Sequence, residues 1–172
     1  MAAARGKGLA AESTKLVSMA LEVERKFLLE GVPNWLVECE SDEIRQGYLA
    51  LDGDTEVRIR QRGPDCSLTV KSGGGLVRVE VDVNIDAERF EALWPLTEGR
   101  RVSKRRHRVP TEHLHFDVDV YGDKLAGLAV AEVEFGSVDE SEEFAAPQWL
   151  GDEVTADDRY KNRALAERGT PV

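Results

Sequence analysis

The sequence predicts a mainly β fold of the α+β class: about eight antiparallel strands closed into a barrel or a strongly curled sheet, flanked by a few helices. Three observations predict it. Apolar residues recur with a period of two through most of the chain. Turn residues, among them Asp52-Gly53-Asp54, Gly63-Pro64-Asp65 and Gly73-Gly74-Gly75, separate neighbouring segments at hairpin spacing. The polar positions of those segments are almost purely ionic, where an ordinary half-exposed sheet carries Thr, Ser and Gln with scattered charge.

Leu21 to Leu29 is the first strand, with Leu21, Val23, Arg25 and Phe27 on one face and Glu22, Glu24, Lys26 and Leu28 on the other. Arg45 to Leu51, Glu56 to Arg62 and Ser67 to Lys71 follow, and the triglycine makes a hairpin tip. Leu76 to Ile85 alternates Val77, Val79, Val81 and Val83 against Arg78, Glu80 and Asp82. A helix is expected next, with Asp86 as N-cap, Phe90, Leu93 and Trp94 as its apolar stripe and Pro95 as its stop. Arg101 to Val109, Leu114 to Tyr121 and Leu128 to Gly136 complete the strands. Two helical pieces are expected after Ser137, near Glu140 to Phe144 and near Ala156 to Arg168, the latter capped by Thr155. Residues 1–19 read as a disordered tail and 20–169 as one domain, with Met19 an alternative start.

Charged residues make up 33% of the 172, and the formal net charge is -10. So negative a chain is a poor binder of nucleic acid. No apolar run reaches the length of a membrane span, so no membrane partner is expected. Cys39 and Cys66 form neither a CxxC nor a disulfide framework, which points to a reducing cytoplasm. Basic residues crowd between Arg58 and Arg108, so the negative total hides a local positive region.

Strand residues two apart project the same way. Glu22/Glu24, Arg58/Arg60, Glu80/Asp82, Lys104/Arg106, Asp117/Asp119 and Glu132/Glu134 are therefore like-charged pairs on one face of their strands. A solvated outer face accounts for any single pair. A barrel with these faces inward accounts for their recurrence. Its acids would hold hard divalent cations and its basic groups an oligophosphate. The pattern alone leaves both readings open.

The run Glu22-Val23-Glu24-Arg25-Lys26 resembles the ExExK signature of the CYTH, or triphosphate tunnel metalloenzyme, superfamily. Arg58-Ile59-Arg60, Lys71, Arg78 with Glu80, Lys104-Arg105-Arg106 and Glu132-Val133-Glu134 follow in the family's order. The phrases Arg45-Gln46-Gly47-Tyr48-Leu49, Leu68-Thr69-Val70-Lys71 and Arg159-Tyr160-Lys161-Asn162 are similar to the small bacterial members. The resemblance spans roughly Leu21 to Ala166. It implies an eight-stranded antiparallel tunnel barrel that uses Mg²⁺ or Mn²⁺ to hydrolyse a small-molecule triphosphate. It implies metal-binding acids at Glu22, Glu24, Glu132 and Glu134, with Glu80, Asp119 and Asp117 as further candidates. Asp82 stands where many relatives carry Glu and suits a water-bridged role. Lys26, Arg58, Arg60, Lys71, Arg78, Lys104 and Arg106 would grip phosphates, and Lys161 would contact them from the C-terminal helix. Lys26 and Tyr48 are candidates for orienting the attacking water or protonating the leaving group, and Tyr48 equally for closing the tunnel mouth. Many small members are dimers, so a homodimer is compatible.

His113 and His115 stand two apart near a turn with no third nitrogen or sulfur ligand, and these and His107 read as surface residues. Arg101, Arg105 and His107 read as a solvated set. Trp35, Trp94 and Trp149 read as core or helix-packing residues. Inorganic tripolyphosphate is the expected substrate. The alternatives are thiamine triphosphatase or class IV adenylate cyclase activity on an organic triphosphate, and a polyphosphate-binding module without catalysis.

Overall fold

A computed structural model describes residues 15–16, 23–72, 79–111 and 113–171. The period-two segments form one antiparallel sheet of nine strands: β1 (Lys15–Leu16), β2 (Val23–Leu28), β3 (Ser41–Asp52), β4 (Thr55–Arg62), β5 (Asp65–Ser72), β6 (Val79–Ile85), β7 (Arg101–Pro110), β8 (His115–Tyr121) and β9 (Ala129–Phe135). Their spatial order is β1-β6-β5-β4-β3-β7-β8-β9-β2. Strands β1 and β2 are neighbours in sequence yet lie at opposite edges. Eight inter-strand spacings would set the edges of a flat sheet about 38 Å apart. The chain from Leu16 to Val23 reaches at most about 25 Å. The sheet is therefore curled.

The free edge of β2 is covered by residues 151–155, which run along it in extended form. Gly151 and Val154 donate backbone hydrogen bonds to the carbonyls of Leu28 and Lys26, and Leu28 donates to Asp152. A Cβ on Gly151 would lie 2.9 Å from the Leu28 carbonyl oxygen, so this strap needs glycine there. The pairing corrects the expected helix over 156–168. The exposed N–H groups of an edge strand recruit 151–155, and the helix α3 spans only Asn162–Arg168 after a short 3₁₀ turn. Thr155 is not its cap: it accepts from the Lys26 amide at 3.0 Å and donates to Glu153 at 2.6 Å. Glu153 in turn binds Arg25.

Helix α1 (Ala87–Leu93) starts as expected, with Asp86 accepting from the Arg89 amide, and passes into a 3₁₀ turn at Trp94–Thr97. That turn presses Thr97 onto β3: a Cβ on Gly47 would come within 2.5 Å of the Thr97 side chain. Helix α2 (Val138–Glu143) begins earlier than expected because Ser137 caps it. The expected tail lies outside the described residues except for Lys15 and Leu16, which pair with β6. The 73–75 tip and Arg78 also lie outside them.

Two apolar clusters cover the outer face. One packs Phe27, Phe116, Val118, Ala131, Val133 and Phe135 under Leu36, Phe144 and Trp149. The other packs Ile59 and Cys66 under Phe90, Leu93 and Trp94. The tryptophans pack as expected: Trp35 lies edge-on to Trp149, and Trp94 stacks on Phe90. The expected solvated set needs correction in two members. His107 is buried, beside the backbone of Leu36, and burial pushes its imidazole below the ordinary value. Arg101 lies over Trp94 at 4.4 Å and bonds the Trp94 carbonyl. Arg105 is exposed. A turn and a helix laid over the sheet bury side chains whose alternation reads as outward.

Candidate active site

The inward face can be traced by register alone, since residues directly opposite across a ladder share a face. From β2 to β6 the opposed pairs are Lys26–Glu132, Glu132–Asp117, Asp119–Arg106, Arg106–Asp42, Tyr48–Arg58, Arg58–Thr69, Lys71–Glu80 and Thr69–Asp82. Steps of two residues along each strand link these pairs. The like-charged residues of separate strands therefore line one concave surface.

This surface has three zones. At one end it is apolar: Leu28, Tyr48, Val102, Tyr121 and Val130 pack with Leu125, Leu128 and the α3 residues Leu165 and Ala166. Tyr48 is 1% exposed, its hydroxyl accepts from Gln46 at 2.9 Å, and burial pushes its phenol well above the ordinary range. It is a neutral group inside the closing cluster.

Along β7, β8, β9 and β2 the ionic groups neutralise one another. Asp119 is fully buried and accepts from Lys104 Nζ at 2.5 Å and from Arg106 at 2.6 and 2.7 Å. Arg106 also reaches Asp117 at 2.7 Å and Glu132 at 2.6 Å. Glu132 further pairs with Lys26 at 2.9 Å. Burial pushes the Glu132 carboxyl up, but Lys104, Lys26 and Arg106 together outweigh it and hold the group at about 2. Burial lowers Arg106, and hydrogen bonding to Asp119 with the charges of Asp119, Glu132 and Asp117 more than reverses it, so this guanidinium stays charged.

Along β4, β5 and β6 the balance differs. Lys71 pairs with Glu80 at 2.7 Å, while Arg58 stands 4.0 Å from the same carboxylate. The Thr69 hydroxyl donates to Asp82 at 2.5 Å. The buried Nε of Arg58 has no hydrogen-bond partner. Arg60 makes no hydrogen bond or ion pair among the described residues. Burial and then the charge of Arg58 push its guanidinium below the ordinary value. The Arg58 Nε is thus a buried donor without an acceptor and Arg60 a half-buried cation without an ion pair, both on the concave surface, the arrangement an anion relieves.

Glu24 and Glu134 lie directly opposite one another on β2 and β9. Both are exposed, one step beyond the Lys26–Glu132 pair. Such opposed carboxylates are hard oxygen donors suited to a divalent cation. Glu132, Glu80 and Asp119 are held by basic side chains. Among the described residues no three His, Cys, Asp or Glu side chains gather closely enough to hold an ion. Glu22 and Arg78 lie outside the described residues. Lys161 is exposed and pairs with Asp158 at 2.6 Å. The residue that enters from that segment is its neighbour Asn162, whose Oδ1 accepts from Tyr121 at 2.9 Å. Sequence reasoning passed over Asn162, Tyr121 and Gln46. Gln46 was the findable one, two residues before Tyr48 and hence on its face.

Comparison with known proteins gives a consistent result. The CYTH domain profile matches residues 20–164. The chain is 47% identical over 148 residues to an inorganic triphosphatase of Nitrosomonas europaea, covering 84% of this chain and 96% of that protein. It is 34% identical over 151 residues to an inorganic triphosphatase of Acetivibrio thermocellus, covering 87% and 95%. A crystal structure of an inorganic triphosphatase superposes with a TM-score of 0.73 at 41% identity, covering 89% of this chain and 98% of that one.

Proposed function

The chain belongs to the CYTH domain family, and from that premise we propose that it hydrolyses inorganic triphosphate on the concave ionic surface, with a divalent metal. The observation that carries this reading is the incompletely paired basic wall. The buried Nε of Arg58 has no acceptor, and the half-buried Arg60 makes no hydrogen bond or ion pair among the described residues, beside Lys71 on the face that also bears the acids. A solvated outer face would hydrate these guanidinium groups; a polyanion site leaves them for phosphate oxygens.

Arg58, Arg60 and Lys71 bind the oligophosphate from one wall, and Lys104 from the other. Lys104 has three N–H donors and two acceptors among the described residues, Asp119 and Asn162. Arg106, saturated by three carboxylates, fixes the positions of Asp119 and Glu132. Lys26, held by Glu132, stands where it can give a proton to the departing phosphate oxygen. Tyr48, buried and neutral, closes the surface at its apolar end. Glu24 and Glu134, with Glu22 two residues before Glu24, would hold the metal, and their oxygen donors suit Mg²⁺ or Mn²⁺. The ion when bound neutralises phosphate charge that builds up during transfer to water.

Purified protein incubated with tripolyphosphate and either ion should release phosphate, with lower turnover of thiamine triphosphate and ATP. Folded protein that releases none with any divalent ion rules the reading out. Cyclic AMP as the main product from ATP would reassign the reaction.

A further inference from the structure

The phrase Arg159-Tyr160-Lys161-Asn162 marks the entry to α3, and the proposed reaction leaves it without a role. The basic residue of the phrase, Lys161, turns to Asp158. Asn162 turns inward. Its side-chain oxygen accepts from the Tyr121 hydroxyl at 2.9 Å and lies 3.5 Å from Lys104 Nζ. An ammonium can only donate, so its contact requires the oxygen rather than the amide nitrogen on this side, and the Tyr121 hydroxyl is then the donor to that same oxygen. Lys104 is 6% exposed and its ammonium also lies 5.4 Å from the centre of the Tyr121 ring. Lys104, Asp119, Tyr121 and Asn162 form a closed set of four side chains: Asp119 holds the ammonium from β8, Tyr121 holds the amide, and the amide oxygen holds the ammonium from α3. Leu165 and Ala166 anchor α3 in the apolar cluster that contains Tyr121 and Tyr48, so the amide sits on a fixed support.

We propose that Asn162 is a positioning residue for Lys104: the C-terminal helix supplies the amide oxygen that aims the ammonium at the phosphate chain, with Tyr121 setting the amide. The inference rests on the assignment of Lys104 to phosphate binding, and its test separates the two. Tripolyphosphate turnover by the wild-type protein is measured first; its absence counts against the hydrolase reading alone. The positioning claim has its own readout, the Lys104 ammonium resonance in a ¹H–¹⁵N spectrum of lysine side chains, assigned by its loss in Lys104→Arg. A held ammonium gives a slowly exchanging signal. Asn162→Ala and Tyr121→Phe should each broaden or remove it, and Asn162→Asp, which keeps the oxygen, should retain it.

In kinetics, Asn162→Ala should raise KM for tripolyphosphate about tenfold with kcat within about twofold, the size expected for one hydrogen bond to a charged group used equally in ground and transition states. The double variant with Tyr121→Phe should add little, because both act through one contact. Arg163→Ala is the control. It cuts the tie from α3 to the Gly53 carbonyl without touching Lys104, so KM and the resonance should not change. The claim is overturned by a wild-type protein without the resonance, by an unchanged resonance in Asn162→Ala, by additive KM effects, or by Arg163→Ala reproducing the Asn162→Ala result.

Discussion

The two walls of the concave surface carry the same kinds of residue and differ in how completely these are paired. On the wall of β7, β8, β9 and β2, Arg106 is bound by Asp117, Asp119 and Glu132, and Lys26 and Lys104 each hold a carboxylate within 2.9 Å. On the wall of β4, β5 and β6, Lys71 holds Glu80 at 2.7 Å, but Arg60 makes no hydrogen bond or ion pair among the described residues and Arg58 has a buried Nε without an acceptor. A count of basic residues treats Arg60 and Arg106 as equivalent. The register separates them: Arg106 is opposite Asp119, whereas Arg60 is opposite Gln46 on one side and Ser67 on the other. The first wall is built to be rigid without a ligand, and the second to be completed by one.

The largest test of this contrast removes the central acid of the paired wall. Asp119→Ala leaves the buried ammonium of Lys104 and one side of Arg106 uncompensated, and breaking a buried pair from one side costs about 3–5 kcal/mol. Thermal and urea unfolding should show that loss. A change under 1 kcal/mol would mean that water already satisfies these groups. Acid should attack the same wall. Glu132 is held at about 2 in the fold against an ordinary 4.5, so the unfolded chain binds the proton more readily. Its stabilisation is complete above about pH 4.5 and is lost as pH falls towards 2, on the order of 3 kcal/mol in all. Unfolding free energies measured across that window should fall in the wild type and fall less in Glu132→Gln.

The less paired wall should respond in reverse. Arg60→Met removes a half-buried charge that makes no ion pair among the described residues, so stability at pH 7 should hold or rise slightly. Turnover of tripolyphosphate should drop about a hundredfold in kcat/KM, as expected for the loss of two charge-assisted hydrogen bonds. Tripolyphosphate without metal should raise the Tm of the wild type and raise that of Arg60→Met less. A variant that loses stability and keeps activity would show that Arg60 belongs to the scaffold.

Much of this was readable in the sequence because a period of two is a strong signal. All strands from Val23 to Phe135 fall within or close to their expected spans, the unexpected strand being Lys15–Leu16, and the like-charged residues do share one face. What could not be read depends on partners distant in sequence. His107 alternates as an outward residue and is buried because the 34–38 turn lies over it. Lys161 and Asn162 are adjacent, and only the docking of α3 decides which of them meets the ionic surface. The difference between Arg60 and Arg106 is likewise a matter of pairing between strands.

Thr155 gives the smallest and sharpest comparison, because local sequence and distant pairing assign it different work. As a helix cap it would serve α3. As found, it accepts from the Lys26 amide and passes its own proton to Glu153, which holds Arg25 on the outer face. Lys26 stands on the paired wall at the edge of the sheet, so the strap fixes the backbone from which its ammonium reaches Glu132. Thr155→Val keeps the shape and removes the acceptor, at a cost of about 1 kcal/mol. The local effect should be visible in amide hydrogen exchange: Lys26 should lose protection, while the amides of α3, from Leu165 onward, keep theirs. Fraying of α3 with Lys26 unchanged would return Thr155 to the capping role and leave the edge of β2 held by backbone pairing alone.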